Sequence, residues 1–337
     1  MIVSYDTITT MTYRPPFTLT TTILKLAQNI SWKLGAIAGQ KIDYVPLQLR
    51  REPKIQTIQA SLAIEGNTLS LEQVTALING KRILGPFKDI LEVQNAISVY
   101  EKLHNLNPLL VADLLKSHKI LMAGLIQENG KFRDGNVGIF KGKVISHVAP
   151  PAKKLPELMK NLFEFLNQDK EISWLLKACI FHYEFELIHP FSDGNGRMGR
   201  LWQQLILMKE DSVFEVLPIE VIIKEHQENY YNALGESDKT GESTPFIEFS
   251  LEIILKSLNR YTLDLKPNFK TTELRLHYAQ AKFGNKEFGR KDYAELHNEI
   301  STATASRDLL NGLRSGQLIS TGQKNQTRYQ FKTFSDS

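Results

Sequence analysis

The chain has 337 residues, 42% of them hydrophobic and 23% charged, with a net charge of +4 and one cysteine. That length suits about two domains of roughly 150 residues, whose cores need no disulfide or metal staple, and the composition excludes extended disorder. No stretch approaches the roughly 18 to 20 uninterrupted apolar residues of a membrane span, and the Thr-rich first 19 residues carry neither a basic nor an apolar leader segment. The sequence therefore reads as soluble, unexported and without a membrane partner. Cys179 cannot form an internal disulfide, which fits a reducing cytoplasm, and it reads as a small buried residue on an apolar helix face.

Taken in chain order, helical periodicity dominates, predicting helices over residues 20–35, 71–79, 89–106, 108–125 and 155–167. Trp174, Ala178, Phe181, Phe185 and Ile188 recur at spacings of three and four, as do Met198, Leu201, Leu205 and Met208; each set marks one buried stripe. Further helices are expected over 219–234 and 245–263. One segment breaks the pattern. Residues 137–140 and 144–148 are short β-favouring runs around Lys141-Gly142-Lys143, a small hairpin that has no reason to be stable alone and so is expected to cover something.

Leu265-Lys266-Pro267-Asn268 reads as a linker, since proline stops the preceding helix. Beyond it, helices near 271–283, 290–297 and 302–313, then strands at 318–320 and 327–331, give an order that resembles a winged helix-turn-helix. From Lys266 to Ser337 there are twelve Lys and Arg against seven Asp and Glu, so the basic character belongs to this tail. The asymmetry favours an anionic partner such as DNA, although a solvated basic face is the commoner reason for it. Thr302, Thr304, Ser306, Arg307 and Asn311 are the candidate base-reading side chains.

The sharpest feature is His189-Pro190-Phe191-Ser192-Asp193-Gly194-Asn195-Gly196-Arg197-Met198-Gly199-Arg200. Pro190 disfavours helical geometry at His189 and so ends the first helix. Gly194 and Gly196 leave the backbone bare where it enters the second, making an anion cradle beside the positive end of a helix dipole. Arg197 and Arg200 add guanidinium donors for a polyphosphate, Asp193 is a hard oxygen ligand suited to Mg²⁺, and His189 is a candidate general base. Such a set suits phosphoryl or nucleotidyl transfer. A di-iron reading of His182, Glu186, His189 and the Glu101-x-x-His104 pair is set aside, because Pro190 interrupts the helix where that site needs regular geometry. His182 and Glu186 read instead as supports for the His189 loop.

The twelve-residue string matches without mismatch the HPFx[D/E]GNGRxxR signature of the Fic family, whose members are mostly AMP-transferases, and the resemblance extends over most of the first 250 residues. It implies a mainly α fold: a Fic-type helical bundle with a β-hairpin flap, followed by the winged helix. The corresponding regions are an N-terminal helical region, 1–105, carrying an inhibitory motif, a catalytic core over 106–265, and the winged helix over 266–337. It implies ATP as substrate, held by Gly194, Asn195, Gly196, Arg197 and Arg200 with Mg²⁺ on Asp193. It also implies a target protein whose Tyr, Thr or Ser hydroxyl is docked at the flap, Val137 to Val148, after Gly130-Lys131-Phe132-Arg133. Tyr230 and Tyr231 resemble the aromatic lining of the adenine pocket, though two half-buried tyrosines on a helix would look the same. Ser61-Leu62-Ala63-Ile64-Glu65-Gly66-Asn67 resembles the family's inhibitory motif, in which the glutamate, here Glu65, pairs with the second arginine, here Arg200. Removal of AMP by the same site, and a nucleotide-sensing DNA-binding regulator, are the alternative functions. The target, the relieving signal and the oligomeric state stay open.

Overall fold

The structure, a computed structural model, describes residues 13–39, 47–141, 144–264, 271–297, 300–322 and 327–332. The chain divides into two compact units, Met1–Leu263 and Asp264–Ser337. The expected linker at 265–268 lies outside the described residues.

The first unit is helical: α1 (Thr21–Gly39), α2 (Leu47–Ile64), α3 (Leu71–Ile78), α4 (Phe87–Tyr100), α5 (Val111–Leu121), α6 (Leu155–Gln168), α7 (Trp174–Ile188), α8 (Asn195–Leu207), α9 (Ile219–Glu225), α10 (Gln227–Thr240) and α11 (Thr244–Asp264). Between α5 and α6, β1 (Gly138–Lys141) and β2 (Val144–Val148) pair antiparallel, with an irregularity between Ile139 and Phe140. One apolar core runs from Ile23 in α1 to Leu258 in α11, so the N-terminal helices share it with the rest of the unit.

At its centre α7 and α8 pack antiparallel, Leu175 N–H reaching Glu210 at one end of the pair and His182 meeting Gln203 further along. Ser173 caps the start of α7, and Cys179, with its thiol pushed up to about 12 by burial, lies inside the core. The expected helix over 219–234 is two, because His226 leaves helical geometry at φ −119°, ψ 33°. The helix α2 falls in the region 1–105 expected to be helical, but periodicity marks no helix over its residues.

The second unit holds α12 (Thr272–Phe283), β3 (Phe288–Gly289), α13 (Arg290–Leu296), α14 (Thr302–Arg314), β4 (Leu318–Thr321) and β5 (Arg328–Phe331). Its sheet has the order β3-β5-β4, and it has an apolar core of its own around Leu276, Phe288, Tyr293, Leu309 and Phe331. The buried Arg275–Asp308 pair, 2.5 Å apart, is braced by the hydroxyls of Thr272 and Tyr293. No helix among the described residues is long and apolar enough to cross a membrane.

Candidate active site

The loop between α7 and α8 gathers most of the residues singled out in the sequence. The helix α7 ends at Ile188, and His189 takes the left-handed geometry φ 50°, ψ 62°, the one positive φ of a non-glycine among the described residues. Such a conformation is unfavourable for a residue with a Cβ and persists only where the surroundings hold it. Here His189 Nδ1 lies 3.3 Å from the Glu186 carbonyl. A carbonyl only accepts, so Nδ1 is the donor in this contact.

Asn195 closes the loop. Its Oδ1 accepts from Phe191 N–H at 2.9 Å and its Nδ2 donates to Phe191 O at 2.8 Å, so this buried side chain shapes the turn and both its polar groups are engaged there. Gly194 (φ 87°) caps α8, and a Cβ there would lie 2.7 Å from Met122 Sδ. The first intrahelical donor is Met198 N–H, to Gly194 O, which leaves the N–H groups of residues 195–197 at the positive end of α8.

Both arginines are buried. Arg200 donates through Nε to Ser61 Oγ (3.1 Å) and through Nη2 to Ser61 O (2.9 Å) and Glu65 Oε1 (2.8 Å). Glu65 Oε1 also sits over the bare backbone of Gly196, where any Cβ would collide with it. Arg197 is held at 2.9 Å by Asp193 Oδ1, within the string, and at 3.1 Å by Glu92 Oε1, from α4. Glu92 is in turn fixed by Asn67 Nδ2 at 2.8 Å, two residues after Glu65. One turn after α2 therefore supplies both a direct and a relayed restraint on the arginine pair. Arg197 Nε and Arg200 Nη1 are buried without a hydrogen-bond partner. Burial works against the Arg200 charge, and Glu65, Tyr230 and Glu186 more than offset it. Burial pushes the Glu186 carboxyl up to about 8, opposed by Arg200 and reinforced by Glu65.

The remaining candidates fall around this centre. Tyr230 is in the core, 2% exposed, with its hydroxyl 3.2 Å from His182 Nε2, so its ring face is covered; the neighbouring Tyr231 is 40% exposed. His182 supports α8 through Gln203 Oε1 at 2.7 Å, and His104 lies across from Glu215.

Two contributors were not legible as site residues. Glu92 is one. His118, on α5, is the other: it stacks on Phe191 at 3.6 Å, accepts from Gly130 N–H at Nδ1 and faces the Asp193 carbonyl from Nε2, both at 2.9 Å. Burial lowers its pKa to about 4, so the ring is neutral with its proton on Nε2. A histidine embedded in the amphipathic pattern of α5 carries no local signal of such a role.

This is a helical protein with a glycine turn at a helix N-terminus, two buried arginines beside it, and an imidazole in the same loop. A family model for the Fic/DOC family matches residues 108–207. A solved Fic family protein from Desulfovibrio desulfuricans G20 is 39% identical, with a TM-score of 0.71 and coverage of 96% of this chain and 100% of that one. The chain belongs to the Fic family. Among named relatives, protein adenylyltransferase fic-1 of Caenorhabditis briggsae is 30% identical over 226 residues, 64% of this chain and 42% of its own. Protein adenylyltransferase Fic of Culex quinquefasciatus is 31% identical over 275 residues, 76% of this chain and 52% of its own. The chain thus spans about half the length of these relatives.

Proposed function

We propose that this protein transfers AMP from ATP to a hydroxyl group of a protein, and that Glu65 holds the activity in check. The observation that carries the reading is the pair of unpartnered buried donors, Arg197 Nε and Arg200 Nη1, beside the N-terminus of α8 and one loop from His189. Buried guanidinium donors without partners are costly unless a ligand answers them, and a polyphosphate has the acceptors to do so. The adenylyltransferase names of the relatives point the same way.

Among the described residues no cluster of three or more His, Cys, Asp or Glu side chains is arranged to hold a metal ion. Asp193, half exposed, is the residue suited to a Mg²⁺ that arrives with the nucleotide phosphates. Bound there, the ion would neutralise phosphate charge. The residues of the chain do the rest. The N–H groups of 195–197 and the two arginines hold the phosphates, and Tyr231 offers the accessible ring for the base. His189 Nε2 takes the proton of the target hydroxyl as its oxygen bonds to the α-phosphorus. The bond from that phosphorus to the bridging oxygen breaks, and pyrophosphate leaves with the electron pair. The hairpin β1-β2 is suited to hold the target by adding its backbone as a further strand.

In the second unit, three helices and the β3-β5-β4 sheet support a winged-helix reading, with Thr302, Ser306 and Arg307 exposed on α14. DNA or a second protein is the partner class this part of the chain suits.

The test is incubation of the Glu65→Gly protein with lysate and ATP labelled at the α-phosphate, with labelled proteins identified by mass spectrometry. Label is expected on protein hydroxyls, and His189→Ala should abolish it while ATP binds within a few-fold of the parent. Equal labelling with His189→Ala would remove His189 from the reaction.

A further inference from the structure

The strap Gly130 to Arg133, between α5 and the hairpin, grips both ends of the 189–194 loop. At the far end it works through His118, whose ring joins Gly130 N–H to the Asp193 carbonyl. At the near end Arg133 acts directly. Its backbone N–H donates to Pro190 O at 2.9 Å, and its Nε donates to His189 O at 2.7 Å. Its Nη2 reaches Pro150 O (2.7 Å) and Ile188 O (3.4 Å), and its Nη1 reaches Gly135 O (2.7 Å). Gly135 and Pro150 are the two roots of the β1-β2 hairpin. One guanidinium, 4% exposed, thus binds the base-bearing loop to both legs of the hairpin through backbone carbonyls alone.

No carboxylate is among these partners. Compensation for the buried charge comes from carbonyl dipoles, including those that end α7, where the negative pole of the helix lies. Only a planar fork reaches carbonyls in three directions at once; a lysine ammonium can answer some of them but cannot span them all. The same contacts hold His189 in its left-handed geometry, because they fix the carbonyls on both sides of it.

We propose that Arg133 is a positioning residue for AMP transfer: it sets the distance between the hairpin that carries the target and the imidazole that takes the target's proton. This rests on the transferase reading above. The guanidinium touches neither the phosphate cradle nor the two clamping arginines, so it governs turnover and leaves nucleotide binding alone. It also couples the two partners of the reaction, since loosening it frees the hairpin roots and the His189 backbone together.

The experiment uses full-length protein with the Glu65→Gly substitution as parent, and compares Arg133→Gln and Arg133→Lys. Self-labelling from ATP labelled at the α-phosphate is measured as kcat and as KM for ATP, and hydrogen exchange is followed in peptides covering 133–150 and 186–193. For Arg133→Gln, kcat should fall tenfold or more with KM for ATP within about threefold, since small misplacements of reacting groups have large kinetic effects. Exchange should rise in both peptides. Arg133→Lys should not restore kcat, although it keeps the charge. Should Arg133→Gln not fold, the lysine variant decides the matter by the same measurements. A folded variant with parental kcat, or a loss confined to KM for ATP, overturns the proposal. Absence of labelling in the Glu65→Gly parent counts against the transferase reading instead; unchanged exchange in the Arg133 variants then overturns the tie itself.

Discussion

At Gly194 the backbone enters α8 with φ 87° and passes within contact of Met122, so the position is closed to a side chain on two counts. Gly194→Ala combines an unfavourable conformation with a clash against Met122; it should lose more than about 1 kcal/mol of stability and weaken ATP binding, read by urea denaturation and by calorimetric titration. Glu92 is a different kind of residue. Its carboxylate is 8% exposed and answers Arg197 and Asn67 together. Removing one partner of a buried pair strands the other, so Glu92→Ala should cost about 3 kcal/mol, also read by urea denaturation, and Glu92→Gln distinctly less. The contrast between these two positions explains what the sequence makes legible. Gly194, His189, Asp193 and the arginines lie within twelve consecutive residues, where turn, helix start and charge are read together. Glu92 meets Arg197 across 105 residues and His118 meets Asp193 across 75, and neither has a local feature that marks it. Asn195 illustrates the opposite limit: its place in the string suggested a ligand contact, and its amide is engaged in closing the turn.

Among the elements, α7 and α8 follow from periodicity and the hairpin from its short β-favouring runs, whereas α2 follows from neither. The run Arg50-Arg51-Glu52-Pro53-Lys54 is polar and contains a proline, which reads as a break. Pro53 lies in the second turn of α2, and the buried Ile58, Ser61 and Leu62 that follow pack the helix into the core. Tertiary burial outweighs local preference there, and it delivers Ser61 and Glu65 to Arg200. Between α7 and α8 the buried His182 donates from Nδ1 to Gln203 and accepts at Nε2 from Tyr230, with Arg200 and Glu186 also facing it. Burial, aided by Arg200, lowers its pKa from 6.5 to about 3. The unfolded ring takes up a proton near pH 6.5 and the folded one does not until about 3, so this contribution to stability is whole above 6.5 and is lost as pH falls through that window. Urea midpoints at pH 7.5 and pH 5 should show the wild type weaker at pH 5. The difference should shrink in His182→Asn, which cannot titrate; an unchanged difference would assign the acid sensitivity to other groups.

Across the molecule, the two units carry different expectations. The second has its own core, and its basic excess is visible in the sequence, but the side chains exposed on α14 include only Arg307 and Arg314 as cations near the candidate reading positions. If the full-length protein binds duplex DNA through this unit, the affinity should fall steeply between 50 and 200 mM salt, by roughly 10³-fold where six phosphates are contacted. Binding indifferent to salt would exclude a phosphate-led contact and favour a protein partner. The first unit holds the central claim, that a glutamate from one helix end neutralises an arginine needed for the phosphates. The most direct test is quantitative self-labelling of wild type, Glu65→Gly and Glu65→Gly with Arg200→Ala, using ATP labelled at the α-phosphate. Freeing Arg200 should raise labelling tenfold or more over wild type, and the second substitution should remove most of that gain. A folded Glu65→Gly protein that binds ATP and labels no better than wild type would contradict the account.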